Sequence, residues 1–455
     1  MNAALSYADE HFDTFVDQLE DLLAIPSVST DSEYADDVRR AATWVADHLR
    51  ERGVQHAEVA ETDGHPVVYA EHITGDDKPT VLVYGHYDVQ PPDPLDEWDT
   101  PPFEPTQVNG TLYARGACDD KGQMFMHLKA LESYLESGAE PPVNLKFVIE
   151  GEEEIGSEHL APFLRDNQDR LDADVVLISD TSMFSEDEPS ITYGLRGLAY
   201  AEVTLQGPDR DLHSGVYGGA VENPANALAT LIADLHDDEH RVTIPGFYEN
   251  VRPLTDAERE TYAELPFDEA GWQDAIGVDA VRTEGGYSVL ECLSARPTLD
   301  VNGIWGGYTG EGAKTVLPAK ASAKISMRLV PNQTPDEIYD KLEAHLEEQL
   351  PDTMTMTFRR LHGGRPVLVD RDSPAMQAAQ TAMGEVMGTE PKFVRHGGSI
   401  PIVADFKDLL GLDSVLMGFG LDTDAIHSPN EHFGLDRFRA GIQSIIRFHQ
   451  RYADA

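Results

Sequence analysis

Apolar runs at His65–His72, Thr80–Tyr84, Asn144–Glu150 and Ala173–Ser179 alternate with segments whose apolar residues repeat at helical spacing. Helices are predicted between the later runs, at about Lys121–Glu136 and Ser157–Arg165. A helix lets the chain return to the starting edge of a sheet, so this alternation predicts a mostly parallel sheet covered on both faces. Upstream, Phe12, Phe15, Val16, Leu19, Leu22 and Leu23 lie on one face of a first helix that Ile25-Pro26 stops. A second helix follows Asp31-Ser32-Glu33, with Val38, Ala41, Ala42, Val45 and Leu49 inward and Gly53 where a C-terminal cap belongs.

The pattern changes near Gly194. Arg196–Gln206 reads as a long strand and Asn223–Leu235 as a helix, followed by an irregular Pro- and acid-rich stretch from about Gly246 to Pro297. A strand at Ala321–Val330, a helix at Pro335–Gln349 and a strand at Met354–Leu361 complete a compact α+β module. After Gly363-Gly364 the α/β pattern resumes, with a helix at Pro374–Met387, an apolar run at Ser414–Gly418 and a closing helix at Leu435–Tyr452. The expected organisation is a catalytic α/β domain built from residues 1–195 and 365–455, with an α+β lid and dimerisation domain, 196–364, inserted into it.

A length of 455 residues exceeds one ordinary core, which agrees with two domains. No window approaches the 18 or so uninterrupted apolar residues of a membrane span, and the first ten residues lack a signal peptide's basic and apolar regions. With only Cys118 and Cys292 there is no disulfide framework, and a reducing, cytoplasmic setting is expected.

Charge is the outlier: 82 acidic against 34 basic residues give a formal net charge of −48. That balance excludes nucleic acid as a partner, because a polyanion binder needs a basic face. The acids are dispersed, and no lysine occurs between Lys146 and Lys314. Such a surface suits concentrated salt, where the Debye length shrinks to about 3 Å at 1 M.

The residues that carry chemistry follow the apolar runs. His86 and Asp88 come after Gly85 and, two apart in extended backbone, point to one side. Ligands bind at the carboxyl ends of strands in open α/β sheets. A metal-bound histidine usually gives its other ring nitrogen to a carboxylate, which suggests a role for each. Asp119-Asp120 precedes a helix, so one of the pair is expected to cap it while the other is free for another task. Glu152-Glu153-Glu154 follows a buried strand, where clustered carboxylates repel unless a cation or proton intervenes. Asp180 ends another apolar strand, and His427 lies in Ala425-Ile426-His427-Ser428-Pro429-Asn430-Glu431 near the C-terminus. Mixed histidine and carboxylate donors suit zinc, with manganese or cobalt as alternatives. Two histidines and three carboxylates exceed one tetrahedral catalytic ion and suit two divalent ions about 3.5–4 Å apart.

These motifs, in this order, resemble those of the co-catalytic dinuclear metallopeptidases. That family includes carnosinase-type dipeptidases, aminoacylase, glutamate carboxypeptidase and succinyl-diaminopimelate desuccinylase. The resemblance implies that His86, Asp119 and Asp180 bind one ion and Asp119, Glu154 and His427 the other, with Asp119 bridging. It implies that Asp88 orients His86 and that Glu153 is the general base. The segment Asp211-Leu212-His213-Ser214-Gly215 resembles the lid segment whose histidine reaches the partner's active site in a homodimer. Thr315, Arg328 and Ser399 lie in segments that resemble the family's substrate-binding lid and return loop. Asp at position 180 and the long insertion around Phe247-Tyr248 and Arg296–Gly303 resemble the carnosinase-type dipeptidases more than the deacylases. The expected reaction is metal-dependent hydrolysis of dipeptides or short peptides. The alternatives are an N-acyl amino acid deacylase and a non-catalytic metal-binding homologue.

Overall fold

A computed structural model describes residues 3–455, which fall into two compact units. The first comprises the chain up to Tyr193 together with Val369–Val394 and Asp405–Ala455; the second comprises Gly194–Leu368 and Arg395–Ala404.

In the first unit the central sheet runs His56–Ala60, Val67–His72, Asn144–Glu150, Thr80–His86, Val175–Ile178, Ser414–Leu416 and Ser190–Leu195. The middle four strands are mutually parallel, whereas pairings at both margins are antiparallel. The expected parallel arrangement therefore holds only at the centre. The reason is connection length: the short link between His56–Ala60 and Val67–His72 can only turn the chain back, while a parallel crossover needs a dozen or more residues.

The helix Lys121–Glu136 packs on the Thr80–His86 strand and against Ala3–Glu10, Phe12–Leu23 and Leu435–Ala453. It is buried on every side from Lys121 to Tyr134, so its polar residues must be paired. Lys129 Nζ meets Glu132 at 2.6 Å and His48 Nε2 at 2.8 Å. The preceding helix, Ala35–Glu51, does end as expected, with Gly53 in the left-handed region at φ 83° just beyond it.

The second unit holds a four-stranded antiparallel sheet in the order Thr298–Gly306, Lys320–Leu329, Gly197–Gln206 and Thr355–Gly364. Burial alternates strictly along Gly197–Gln206. Ala199, Ala201, Val203 and Leu205 join Ile325, Met327 and Leu329 in a core with Leu228, Leu231, Ile338 and Leu342, from Pro224–Ala233 and Pro335–Gln349. The stretch expected to be irregular instead carries three short helices, Asp256–Glu264, Glu269–Ile276 and Val289–Ser294. Two start with reciprocal capping boxes, Thr255 with Glu258 and Ser288 with Glu291. Helices this short owe their existence to caps and tertiary contacts more than to an apolar stripe.

Candidate metal centre

Parallel register brings the chemistry to one end of the central sheet. His86 lies opposite Glu150, and Tyr84 opposite Ile178, so His86, the turn after Glu150 and Asp180 all emerge at the carboxyl ends of adjacent strands. Asp119 comes from the turn before Lys121–Glu136, and His427 from the segment after Ser414–Leu416.

Two groups able to hold a cation result, His86-Asp119-Asp180 and Asp119-Glu154-His427, with Asp119 common to both. His86 Nε2 lies 3.1 Å from Asp119 Oδ1 and 3.9 Å from Asp180 Oδ2. His427 Nε2 lies 2.9 Å from Asp119 Oδ2 and 3.2 Å from Glu154 Oε2. Donors about 2.1 Å from a tetrahedral zinc stand about 3.4 Å apart, and the observed separations bracket that spacing. The two oxygens of Asp119 face different histidines, which is the arrangement of a bridging carboxylate. The donor set thus fits two divalent ions of the zinc type.

The neighbouring acids are sorted by their partners. Glu152 is structural: Oε1 accepts the His65 N–H at 2.9 Å and Oε2 the His159 N–H at 3.2 Å. Glu154 is steadied by Gln90 Nε2 at 2.8 Å. Among the described residues, Glu153 has no such tether. Asp88 accepts the backbone N–H groups of Glu153 and Glu154 at 3.3 and 3.2 Å, while its Oδ1 lies 3.4 Å and its carbonyl oxygen 3.1 Å from His86 Nδ1. The capping expectation for the Asp119-Asp120 pair fails. Asp120 occupies the N-cap position but makes no side-chain cap; its Oδ2 accepts the His86 N–H at 3.2 Å instead. The His86 amide, aimed back at this carboxylate, competes with the helix end for it.

Electrostatics report the concentration of like charge. Burial lifts the Glu153 carboxyl to about 7; His86 opposes the rise, and Asp119, Glu154 and Asp88 add to it. Burial raises Asp180 well above the usual carboxylate range, with Asp120 and Asp119 reinforcing it. His427 is pushed up to about 10 by hydrogen bonds to Asp119 and Glu154. For His86, burial disfavours the charge, yet Asp119 and Asp88 outweigh it and hold the imidazole well above its ordinary value. Neighbouring carboxylates thus add to the rise at Glu153 and Asp180 and hold both histidines up, a crowding of negative charge that a pair of divalent cations would offset.

The remaining expected site residues belong to the second unit. His213 pairs with Val316 in a two-stranded ladder, and Thr315 accepts the Ser214 N–H through its carbonyl at 3.1 Å, so His213 and Thr315 are neighbours with exposed side chains. Arg328 Nη1 donates to Ser399 Oγ at 3.0 Å. Sequence reasoning passed over Glu431, although it ends the motif that contains His427. Its buried carboxylate receives the N–H groups of Gly116, Cys118 and Asp119 at 2.9, 3.0 and 3.1 Å and Arg115 Nη1 at 2.8 Å. Only its place in that motif hinted at this.

A dinuclear centre at the carboxyl end of an α/β sheet, with a separate α+β unit inserted in the chain, defines the class as a metal-dependent hydrolase. The profile of Peptidase family M20/M25/M40 matches residues 82–451, and the chain belongs to that family. It is 35% identical to the Cys-Gly metallodipeptidase dug1 of Schizosaccharomyces pombe, over 96% of this chain and 94% of that protein. It is 34% identical to the Beta-Ala-His dipeptidase of Homo sapiens, over 98% of this chain and 92% of that protein. Among solved structures, an M20 family metallo-carboxypeptidase, Sso-CP2 from Sulfolobus solfataricus, superposes with a TM-score of 0.86 at 35% identity, covering 97% of this chain and 99% of that one. The protein is therefore a dinuclear metal-dependent peptidase. No helix among the described residues is long and apolar enough to cross a membrane.

Proposed function

We propose that this protein hydrolyses dipeptides with a free C-terminus, using a two-cation centre held by His86, Asp119, Asp180, Glu154 and His427. The observation that carries this reading is Asp119, whose two carboxylate oxygens face His86 and His427 separately at 3.1 and 2.9 Å. The named relatives, a Cys-Gly metallodipeptidase and a Beta-Ala-His dipeptidase, support the substrate class.

When bound, the cations supply Lewis acidity toward water and the scissile carbonyl. Glu153 takes a proton from the attacking water and returns it to the leaving amine. Burial around its carboxyl favours the protonated form, which suits a group that must accept that proton before passing it on. Asp88 fixes the His86 ring and the backbone that carries Glu153. His213 would donate to the developing oxyanion, where one well-placed donor is worth about 3–4 kcal/mol. Arg328, with Ser399 and Thr315, would hold the substrate carboxylate, since a planar guanidinium matches that group in geometry and charge. The role of His213 goes with a homodimer in which it serves the partner's centre. Two free cysteines, one of them buried, fit a reducing cytoplasmic setting.

A panel of Xaa-Yaa dipeptides, N-acetyl and N-succinyl amino acids and longer peptides, run with zinc- and manganese-loaded enzyme, tests the assignment. Cleavage confined to dipeptides is the expected result. Turnover of acylated amino acids alone would replace it with the deacylase reading, and stepwise loss of C-terminal residues from longer peptides with a carboxypeptidase.

A further inference from the structure

The second unit contains a cavity of about 570 Å³ whose lining includes Arg196, Arg282, Arg328, His236 and Asp300. In a chain with a net charge of −48, most arginines here lie against carboxylates, as Arg296 does with Glu284 at 2.6 Å in the same cavity. Arg196 and Arg328 do not. Arg196 Nε donates to the Gly397 carbonyl at 2.9 Å and Nη1 to that of Cys292 at 3.4 Å, and Arg328 Nη1 donates to Ser399 Oγ. Among the described residues, neither guanidinium has a carboxylate within ion-pair distance, and both are half-buried.

Two half-buried cations of like sign that share one loop are costly unless an anion joins them. Burial and the Arg328 charge together depress the Arg196 guanidinium to about 10. Asp300 offers some compensation, but its carboxylate is exposed and among the described residues accepts the Thr298 hydroxyl at 3.3 Å and no other donor. The loop between the two arginines is built for close approach. A Cβ at Gly397 would stand 2.4 Å from the Leu293 carbonyl oxygen and 3.0 Å from Arg196 Nη2. The loop backbone also binds Arg196, whose N–H donates to the Gly398 carbonyl at 3.2 Å. Arg196 thus presents its remaining N–H groups from a fixed position, beside the arginine already proposed to take the substrate's C-terminal carboxylate.

We infer that this cavity is a second anion subsite, in which Arg196, aided by Arg282, binds the side-chain carboxylate of a dipeptide whose C-terminal residue is Asp or Glu. The inference rests on the dipeptidase reading and on Arg328 holding the α-carboxylate. A volume of about 570 Å³ far exceeds what one carboxylate needs and accommodates a whole acidic side chain. A charge-assisted pair discriminates a carboxylate from its neutral amide isostere, since Gln presents a donor where the arginine requires an acceptor.

The test compares kcat/KM of the metal-loaded enzyme for Ala-Glu and Ala-Gln, with Ala-Ala as reference. Wild type should prefer Ala-Glu by about tenfold, mostly through KM. In Arg196→Gln that ratio should fall close to one, and in Arg282→Gln to about three or below; if Arg196→Gln does not fold, Arg282→Gln decides. Cleavage of Ala-Ala with a wild-type ratio near one, or a ratio that survives the substitutions, would overturn this inference alone. Failure to cleave any of the three dipeptides would overturn the dipeptidase reading and this subsite with it.

Discussion

Glu431 accepts the backbone N–H of Asp119 at 3.1 Å, so the residue shared by both cation sites is held by a carboxylate four positions beyond His427. The same carboxylate takes two further amides of the turn and is balanced by the buried Arg115 guanidinium at 2.8 Å. Glu431→Gln would turn an amide donor toward some of these donors. Metal affinity should fall about 10- to 100-fold, as for other groups that orient ligands. Metal-competition titration against wild type checks this; equal affinity would show that the cradle is dispensable.

Glu153→Ala removes the proposed base but none of the five proposed ligands. Turnover should drop by about 10³-fold or more, while elemental analysis still finds two ions per chain. Near-normal activity would sink the assignment.

Asp88 joins His86 to the backbone of Glu153 and Glu154. Asp88→Asn places an amide where an acceptor is required for one of these groups. Weaker metal binding or slower turnover is expected with an unchanged far-UV spectrum; loss of the fold itself would assign Asp88 to stability instead.

His127 and His449 are buried, and burial depresses each imidazole from 6.5 to about 3. In the unfolded chain they take up protons as pH falls through 6.5, while the folded protein leaves them neutral until about 3. Stability should therefore fall with pH across that window, by up to about 1.4 kcal/mol per pH unit for each histidine. His449→Phe should flatten the slope by one histidine's share in urea titrations between pH 6 and 4. Parallel slopes for wild type and variant would contradict this.

With a formal charge of −48, the folded chain repels itself at low ionic strength. We propose adaptation to concentrated salt. The melting temperature should rise by at least about 5 °C between dilute buffer and molar KCl, through screening. A flat or falling melting temperature would identify an ordinary acidic enzyme.

Much of this protein is legible in the sequence alone, because the relevant signals are local. Apolar period and length located Asn144–Glu150, Lys121–Glu136 and Pro374–Met387 with the bounds the structure shows. The ends of the apolar runs Thr80–Tyr84, Asn144–Glu150 and Ala173–Ser179 point to His86, the acidic turn after Glu150 and Asp180. Tertiary structure decided what depends on distant partners. The first margin of the sheet, His56–Ala60 beside Val67–His72, is antiparallel because of its short connection, and two of the three short helices between Gly246 and Pro297 start from reciprocal capping boxes. Of three consecutive glutamates, Glu152 is drawn off by His65 and His159 and Glu154 by Gln90 and His427, which leaves Glu153 unclaimed among the described residues. The same holds for Asp119 and Asp120, identical in type and adjacent in sequence. One faces two histidines while the other accepts the His86 amide, since register and burial, unlike residue type, are set by the whole chain.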